Sequence, residues 1–291
     1  MSTSTSTPVP CIGHCMEFHT VTDSLRLIHT LQGRAIQIAL GDSASKTVRP
    51  ITVDDAVRAN KLISKYGFYV VIHGKYLYNF CRPPSGIGWQ HKLLQSELEQ
   101  AAKINADVII HQGKNLKELA LSTEQAHQTF VDNLLIVLDN TKTSNKIILE
   151  NSARQGTECG YTLDSLYDIY ERIPAIYRTR IGFCIDLCHI FVAGELDVRN
   201  PEQVQQWFQR FDHLIGYKKL ACIHFNDSDT EFDGRNDNHG SIGKGYIGKS
   251  STLGFKHVCK LARQHRIPLI LETSSRYIDT EIKQLTDWCL A

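Results

Sequence analysis

A chain of 291 residues, 42% of them hydrophobic, can bury a sizeable core and matches one (β/α) barrel, a fold that takes about 250 residues. Lys and Arg number 32 against 31 Asp and Glu, so any affinity for nucleic acid must come from local basic loops rather than from the field of the whole molecule. No apolar run approaches the roughly 18 residues that span a bilayer, and nine cysteines without a C-x-x-C pair point to reduced thiols, so the expectation is a soluble, intracellular protein.

Residues 1–10 are Ser/Thr repeats closing on Pro8-Val9-Pro10. They have neither the apolar core of a signal peptide nor a basic amphipathic pattern, and are read as a disordered tail ahead of a single barrel over 11–291. Residues 11–15 supply a short first strand, and 21–31 have helical spacing that Gly33 would stop. His14, at that strand's end, is read as a hydrogen-bonded support rather than a ligand. The second strand, 35–40, leads into a polar loop with Lys46 and Arg49, of which Arg49 is the candidate phosphate contact. A helix over 54–66 is broken by Gly67 before the third strand, 68–73, which ends in His73. The loop beyond interleaves Lys75, Tyr76, Tyr78, Phe80 and Arg82. That mixture suits a nucleic acid, with rings on bases and cations on phosphate, and suits equally a loop whose rings fold back on the barrel.

An amphipathic helix over 89–104 precedes the fourth strand, 107–111, which delivers His111. A capping-type start, Ser122-Thr123-Glu124-Gln125, opens a helix to 140 on which His127 is expected to be exposed. The fifth strand, 147–150, puts Glu150 behind three aliphatic residues, where an unpaired anion is costly. A helix over 163–173 stops at Pro174. In the sixth strand Ile181, Phe183 and Ile185 alternate with small or soft residues; Asp186 arrives at its C-terminal end, and the chain is read as running into a loop that carries His189. Alone, that pair would be read as a helix-capping Asp beside a satisfied histidine. Pro201 opens a helix over 201–211, and the seventh strand, 221–227, holds His224. Residues 228–249 form a polar loop rich in Gly, Asp and Asn, with Asp237 and His239; its length in a compact barrel points to function, and it is not read as a phosphate-cradling P-loop because no Gly-Lys-Ser/Thr is read at the required spacing. The eighth strand, 269–272, ends in Glu272, and a helix over 279–290 closes the chain.

Strands that all release polar residues at the same end, with helices between them, define the expected class: an α/β (β/α)8 TIM barrel whose site lies at the C-terminal ends of the strands. The residues so collected are His73, His111, Glu150, Asp186, His189, His224, Asp237, His239 and Glu272. Five imidazoles and four carboxylates suit Zn2+ or Mn2+ without any cysteine ligand. They are too many for one tetrahedral ion with an open position and suit three ions, one carboxylate bridging two of them.

The chain also resembles the endonuclease IV family of apurinic/apyrimidinic (AP) endonucleases. The matching segments, in the family's order, are His73-Gly-Lys-Tyr-Leu-Tyr-Asn, His111-Gln-Gly, Leu149-Glu-Asn-Ser-Ala-Arg-Gln-Gly, Cys184-Ile-Asp-Leu-Cys-His-Ile-Phe-Val-Ala-Gly, His224-Phe-Asn-Asp-Ser, Asp237-Asn-His-Gly-Ser-Ile-Gly-Lys-Gly and Leu269-Ile-Leu-Glu-Thr. The resemblance implies a trinuclear zinc centre. His73, His111 and Glu150 would hold one ion; Glu150 would bridge to a second held by Asp186, His224 and Glu272; His189, Asp237 and His239 would hold the third. It implies hydrolysis of the phosphodiester 5' to an abasic site in double-stranded DNA, leaving a 3'-hydroxyl, with trimming of blocked 3' ends, in a monomer that needs no side-chain base beyond the ligands. Glu150 is the catalytic candidate. Tyr76 and Leu77 match residues that enter DNA at the lesion, and Arg49 lies in the loop that carries a DNA-penetrating arginine. Three departures fall outside the ligand set: Gln112 replaces a proline, Arg154 stands where glycine is common, and Asn238 replaces an arginine. A sugar isomerase or epimerase on a related barrel would need only Glu150, Asp186, His224 and Glu272, and a non-catalytic binder of damaged DNA would need no ligands at all.

Overall fold

The computed structural model describes residues 10–16 and 19–291, so the expected tail over 1–10 falls, Pro10 apart, outside the described residues. Strand and helix alternate as β1 (Ile12–Met16), α1 (Val21–Thr30), β2 (Ala35–Ala39), α2 (Val53–Tyr66), β3 (Tyr69–His73), α3 (Gly88–Ala102), β4 (Asp107–Ile110), α4 (Thr123–Asn140), β5 (Ile147–Glu150), α5 (Leu163–Arg172) and β6 (Ile181–Asp186). They continue with α6 (Leu187–Val192), α7 (Pro201–Leu214), β7 (Leu220–His224), a hairpin of β8 (Asp227–Ser228) and β9 (His239–Gly240), then α8 (Leu253–His265), β10 (Leu269–Leu271) and α9 (Ile278–Leu290). Eight of the strands close a barrel in the order β1-β10-β7-β6-β5-β4-β3-β2, every pairing parallel. No helix among the described residues is long and apolar enough to cross a membrane.

The period of two along each strand divides the core. Ala35, Val71, Ile109, Ile148, Cys184, Cys222 and Ile270 point inward and fill the barrel, while their neighbours Ile36, Ile72, Val108 and Leu149 pack beneath the helices. Barrel closure needs Gly13, since a Cβ there would lie 1.6 Å from the Ala35 carbonyl oxygen. Helix starts follow the sequence: Thr52 caps α2, Ser122 and Gln125 form a reciprocal capping box on α4, and Pro201 sits in the first turn of α7.

Five features differ from the sequence reading. The first is that the seventh strand ends at His224 rather than at 227, and the β8–β9 hairpin is formed from Asp227 and the expected polar loop. Past β6 there is a six-residue helix rather than a loop, because the Asp186 carboxylate accepts the His189 backbone N–H at 2.8 Å and caps it. The helix α8 lies where the reading assigned no element; Phe255, Val258, Cys259 and Ala262 form its buried side, and Lys256 and Lys260 lie on the exposed one. His127 is buried rather than exposed, because α4 lies against α5 and its Nδ1 donates to Asp168 Oδ2 at 2.7 Å, an oxygen that also accepts from Arg172 Nε. The letters of a P-loop, G-x-x-x-x-G-K-S, are present from Gly243 to Ser250, and it is the structure that excludes a phosphate there. The N–H groups of Gly243, Gly245, Ile247 and Gly248 converge on the buried Asp227 carboxylate at 2.9–3.2 Å, so the nest already holds an anion of the chain's own. A Cβ at Gly245 or Gly248 would come within 2.6 Å of that carboxylate.

Candidate metal centre

All nine side chains collected from the strand ends open on one mouth of the barrel. Glu150 is the hub. Its Oε2 lies 3.4 Å from both His73 Nε2 and His111 Nε2; its Oε1 lies 2.7 Å from His224 Nδ1 and 3.5 Å from His189 Nδ1. On the other side His224 Nδ1 stands 3.2 Å from Glu272 Oε2 and 3.7 Å from Asp186 Oδ2. The outer group is closed by Asp237, whose oxygens lie 3.1 Å from His189 Nε2 and from His239 Nε2. Among the described residues, five sets of donor atoms lie within 4.8 Å of one another. Three are made of histidine and carboxylate alone: His73, His111 and Glu150; Glu150, Asp186, His224 and Glu272; and His189, Asp237 and His239. The other two bring in cysteine, one Cys184 with Cys222 and one Cys188. Burial grades outward, from His73, Glu150, Asp186, His189 and His224, which are buried, to Asp237 at the exposed rim.

The donor atoms are aimed by partners outside the set. His73 Nδ1 donates to the Gly74 carbonyl at 2.8 Å and His189 Nδ1 to the Asn151 carbonyl at 2.9 Å, which leaves each Nε2 with its lone pair toward the centre. His224 is fixed the opposite way: its Nε2 donates to Gln37 Oε1 at 2.7 Å, and Gln37 Nε2 donates in turn to Glu272 Oε1 at 2.5 Å. Asn226 Nδ2 donates to Asp186 Oδ2 at 2.6 Å and to Glu272 Oε2 at 3.0 Å, and Asn151 Oδ1 accepts the Asp186 N–H at 2.7 Å. Gln37, Asn151 and Asn226 are fully buried and were missed from sequence. A signal was present, since an amide in the middle of the apolar run Ala-Ile-Gln-Ile-Ala, or beside Glu150 or His224, needs a buried partner.

Glu150 Oε2 is buried without a hydrogen-bond partner and lies 3.4 Å from two imidazole nitrogens, and the buried His189 Nε2 has only the Asp237 carboxylate at 3.1 Å before it. Orphaned atoms of that kind, all nitrogen or oxygen, are what divalent-ion ligands look like. The charges agree. Burial alone would raise the Glu150 carboxyl, but His224 and His111 hold it well below the usual range. Against the same burial, Asp186 and Asp237 push His189 well above the usual imidazole, and Glu150 and Glu272 do so for His224. His239 is pushed up to about 9 in the same way by Asp186 and Asp237, whereas burial drives His111 down to about 4. Without ions the cluster therefore holds protons that an ion would displace.

The proposed DNA contacts divide. Tyr76 is 64% exposed, its ring 5.3 Å from that of His73 and stacked 5.9 Å from that of His111. With Leu77 and Asn79 it lines a cleft of about 320 Å3 that reaches His111, His189 and Asp237. Arg49 is exposed and flanks Gly41 together with Lys75. Lys75 itself is buried, its Nζ donating to the Leu40 and Asp42 carbonyls, and Tyr78 and Phe80 fold inward, Tyr78 onto Glu97 at 2.6 Å. So most of the loop folds back on the barrel, and its tip, with Tyr76, is turned outward.

Barrel and mouth together define a xylose isomerase-like TIM barrel, and the family model of that description matches residues 25–290. The putative endonuclease 4 of Acanthamoeba polyphaga mimivirus is 35% identical over 253 residues, 85% of this chain and 80% of its own; the probable endonuclease 4 of Chloroflexus aurantiacus is 31% identical over 243 residues, 82% of each. The chain belongs to the endonuclease IV family. Among solved structures, endonuclease IV from Thermus thermophilus superposes with a TM-score of 0.80 at 23% identity over 96% of this chain and 98% of its own. A D-tagatose 3-epimerase-like protein gives 0.66 at 17% identity, over 96% and 99%. These two share the fold.

Proposed function

We propose that this chain is a DNA-repair endonuclease that hydrolyses the phosphodiester 5' to an abasic site in double-stranded DNA, leaving a 3'-hydroxyl, and trims blocked 3' ends. The ions are three, Zn2+ or in part Mn2+. One is held by His73, His111 and Glu150; one by Glu150, Asp186, His224 and Glu272; and one by His189, Asp237 and His239. The curated relatives named endonuclease 4 support the activity, and the outer trio is the observation that carries the ion count, because an isomerase would need only the inner four residues.

Bound divalent ions supply Lewis acidity, a water acidic enough to ionise near neutral pH, and charge to offset the leaving oxygen. Glu150 is the catalytic residue, each oxygen serving a different group of donors. Gly74, Asn151 and Gln37 fix the three rings so that the lone pairs need no reorientation. At the rim, Tyr76 and Leu77 offer an aromatic and an apolar wedge to a stack already interrupted by a missing base, where unstacking costs least, and Arg49 meets the backbone beside them. The protein acts as a monomer inside the cell, its nine cysteines free.

Purified protein should nick a duplex with one abasic site and lose that activity on chelation; Glu150→Gln, checked for an unchanged circular dichroism spectrum, should abolish cleavage and leave DNA binding. The inner four donors also suit a sugar isomerase. Elemental analysis separates the two: about three ions per chain with nicking supports the nuclease, and one or two ions without nicking refutes it.

A further inference from the structure

The outer trio is built from two separate pieces of chain. His189 belongs to α6, whereas Asp237 lies between β8 and β9 and His239 opens β9. The trio exists only while that hairpin lies on α6. Backbone bonds run from Asp233 N–H to the Phe191 carbonyl at 3.3 Å and from Arg235 N–H to the Val192 carbonyl at 2.9 Å, and the Phe232 ring meets Phe191 edge-on at 5.4 Å. Gly194 makes room, since a Cβ there would lie 2.8 Å from Asp233 Oδ1.

A third segment reaches across this joint. Arg154, in the loop after β5, has φ of 62°, a left-handed conformation that strains any residue but glycine. From there one guanidinium nitrogen donates at 3.3 Å both to the Ala193 carbonyl, at the end of α6, and to Asp233 Oδ1, in the hairpin. The guanidinium also lies 5.0 Å over the Tyr161 ring, and Asp233 accepts from Arg235 besides. Arg154 is a strained arginine that ties the hairpin to the C-terminal end of α6, the end away from Asp186, and it touches no donor of the inner groups, so its loss bears first on the outer trio.

Resting on the three-ion reading above, we propose that Arg154 is a positioning residue for the outer ion: it clamps the β8–β9 hairpin to α6 and so holds Asp237 and His239 against His189. The test is elemental analysis of the holoprotein after dialysis against graded chelator, for wild type, Arg154→Gly, Asp233→Ala and the double variant. Glycine relieves the backbone strain, so Arg154→Gly is compatible with the fold. The expected result is that wild type keeps three ions, while each variant keeps two and gives up one at about two- to fivefold lower chelator, the scale of a half-exposed ion pair acting at one remove from the ligands. The double variant should be no worse than the singles, as two ends of one contact require. A three-ion wild type whose variants release ions as it does overturns the inference, as does loss of all three together. A wild type with only one or two ions defeats the three-ion reading instead, whatever the variants do.

Discussion

Glu97, on α3 beneath the loop that presents Tyr76, offers a sharp test of the electrostatics. Its carboxyl is fully buried; Oε2 accepts the Tyr78 hydroxyl at 2.6 Å and Oε1 has no partner. Burial raises it from 4.5 to about 7, although Tyr78 and Lys75 work the other way. The folded state thus binds this proton more tightly than the unfolded chain, and stability falls as pH rises between the two values. The contribution is intact below about pH 4.5, declines through the window up to about 7 and is flat above it. At about 1.4 kcal/mol per pH unit, the loss across the window is on the order of 3 kcal/mol. Glu97→Gln cannot titrate yet keeps an oxygen for Tyr78. Urea denaturation of both proteins from pH 4.5 to 8.5 should give a wild-type minus variant difference that drops by that amount and then levels. Parallel stability curves would refute the reasoning, because they would mean that the carboxyl is as well solvated folded as unfolded.

Gln37→Leu leaves His224 Nε2 without its acceptor and Glu272 Oε1 without its donor, so ion affinity in chelator competition should fall about 10- to 100-fold; an unchanged affinity would remove Gln37 from the site. Tyr76→Ala takes away an exposed ring at the rim. Loss of base stacking, about 1–3 kcal/mol, predicts at least about a fivefold fall in kcat/KM on an abasic duplex, with ion content and melting temperature unchanged. Equal kcat/KM would mean that the ring does not meet the substrate.

The barrel was legible in sequence because burial on both faces makes each strand a short apolar run, and because the runs end in polar residues that such a strand cannot otherwise carry. Ile147-Ile148-Leu149-Glu150 shows both signals in four residues. The helix α8 carried the helical signal as well, since Phe255, Val258, Cys259 and Ala262 fall at i, i+3, i+4 and i+7 with Lys256 and Lys260 on the other face, and the sequence reading passed over it. His127 was misjudged for a different reason: its partner Asp168 is 41 residues away and comes within reach only when α5 packs on α4.

What the amino-acid order determined by itself is local: which residues alternate, where helices are capped, and which strand ends carry imidazole or carboxylate. Only the closed barrel decided which of those ends face each other, that Gln37 would sit between His224 and Glu272, and that Asp227 rather than a phosphate would fill the glycine nest. The division follows from range. Propensity and periodicity act over a few residues, whereas hydrogen bonds such as those joining positions 37, 224 and 272 span most of the chain and exist only once the core has brought their strands together.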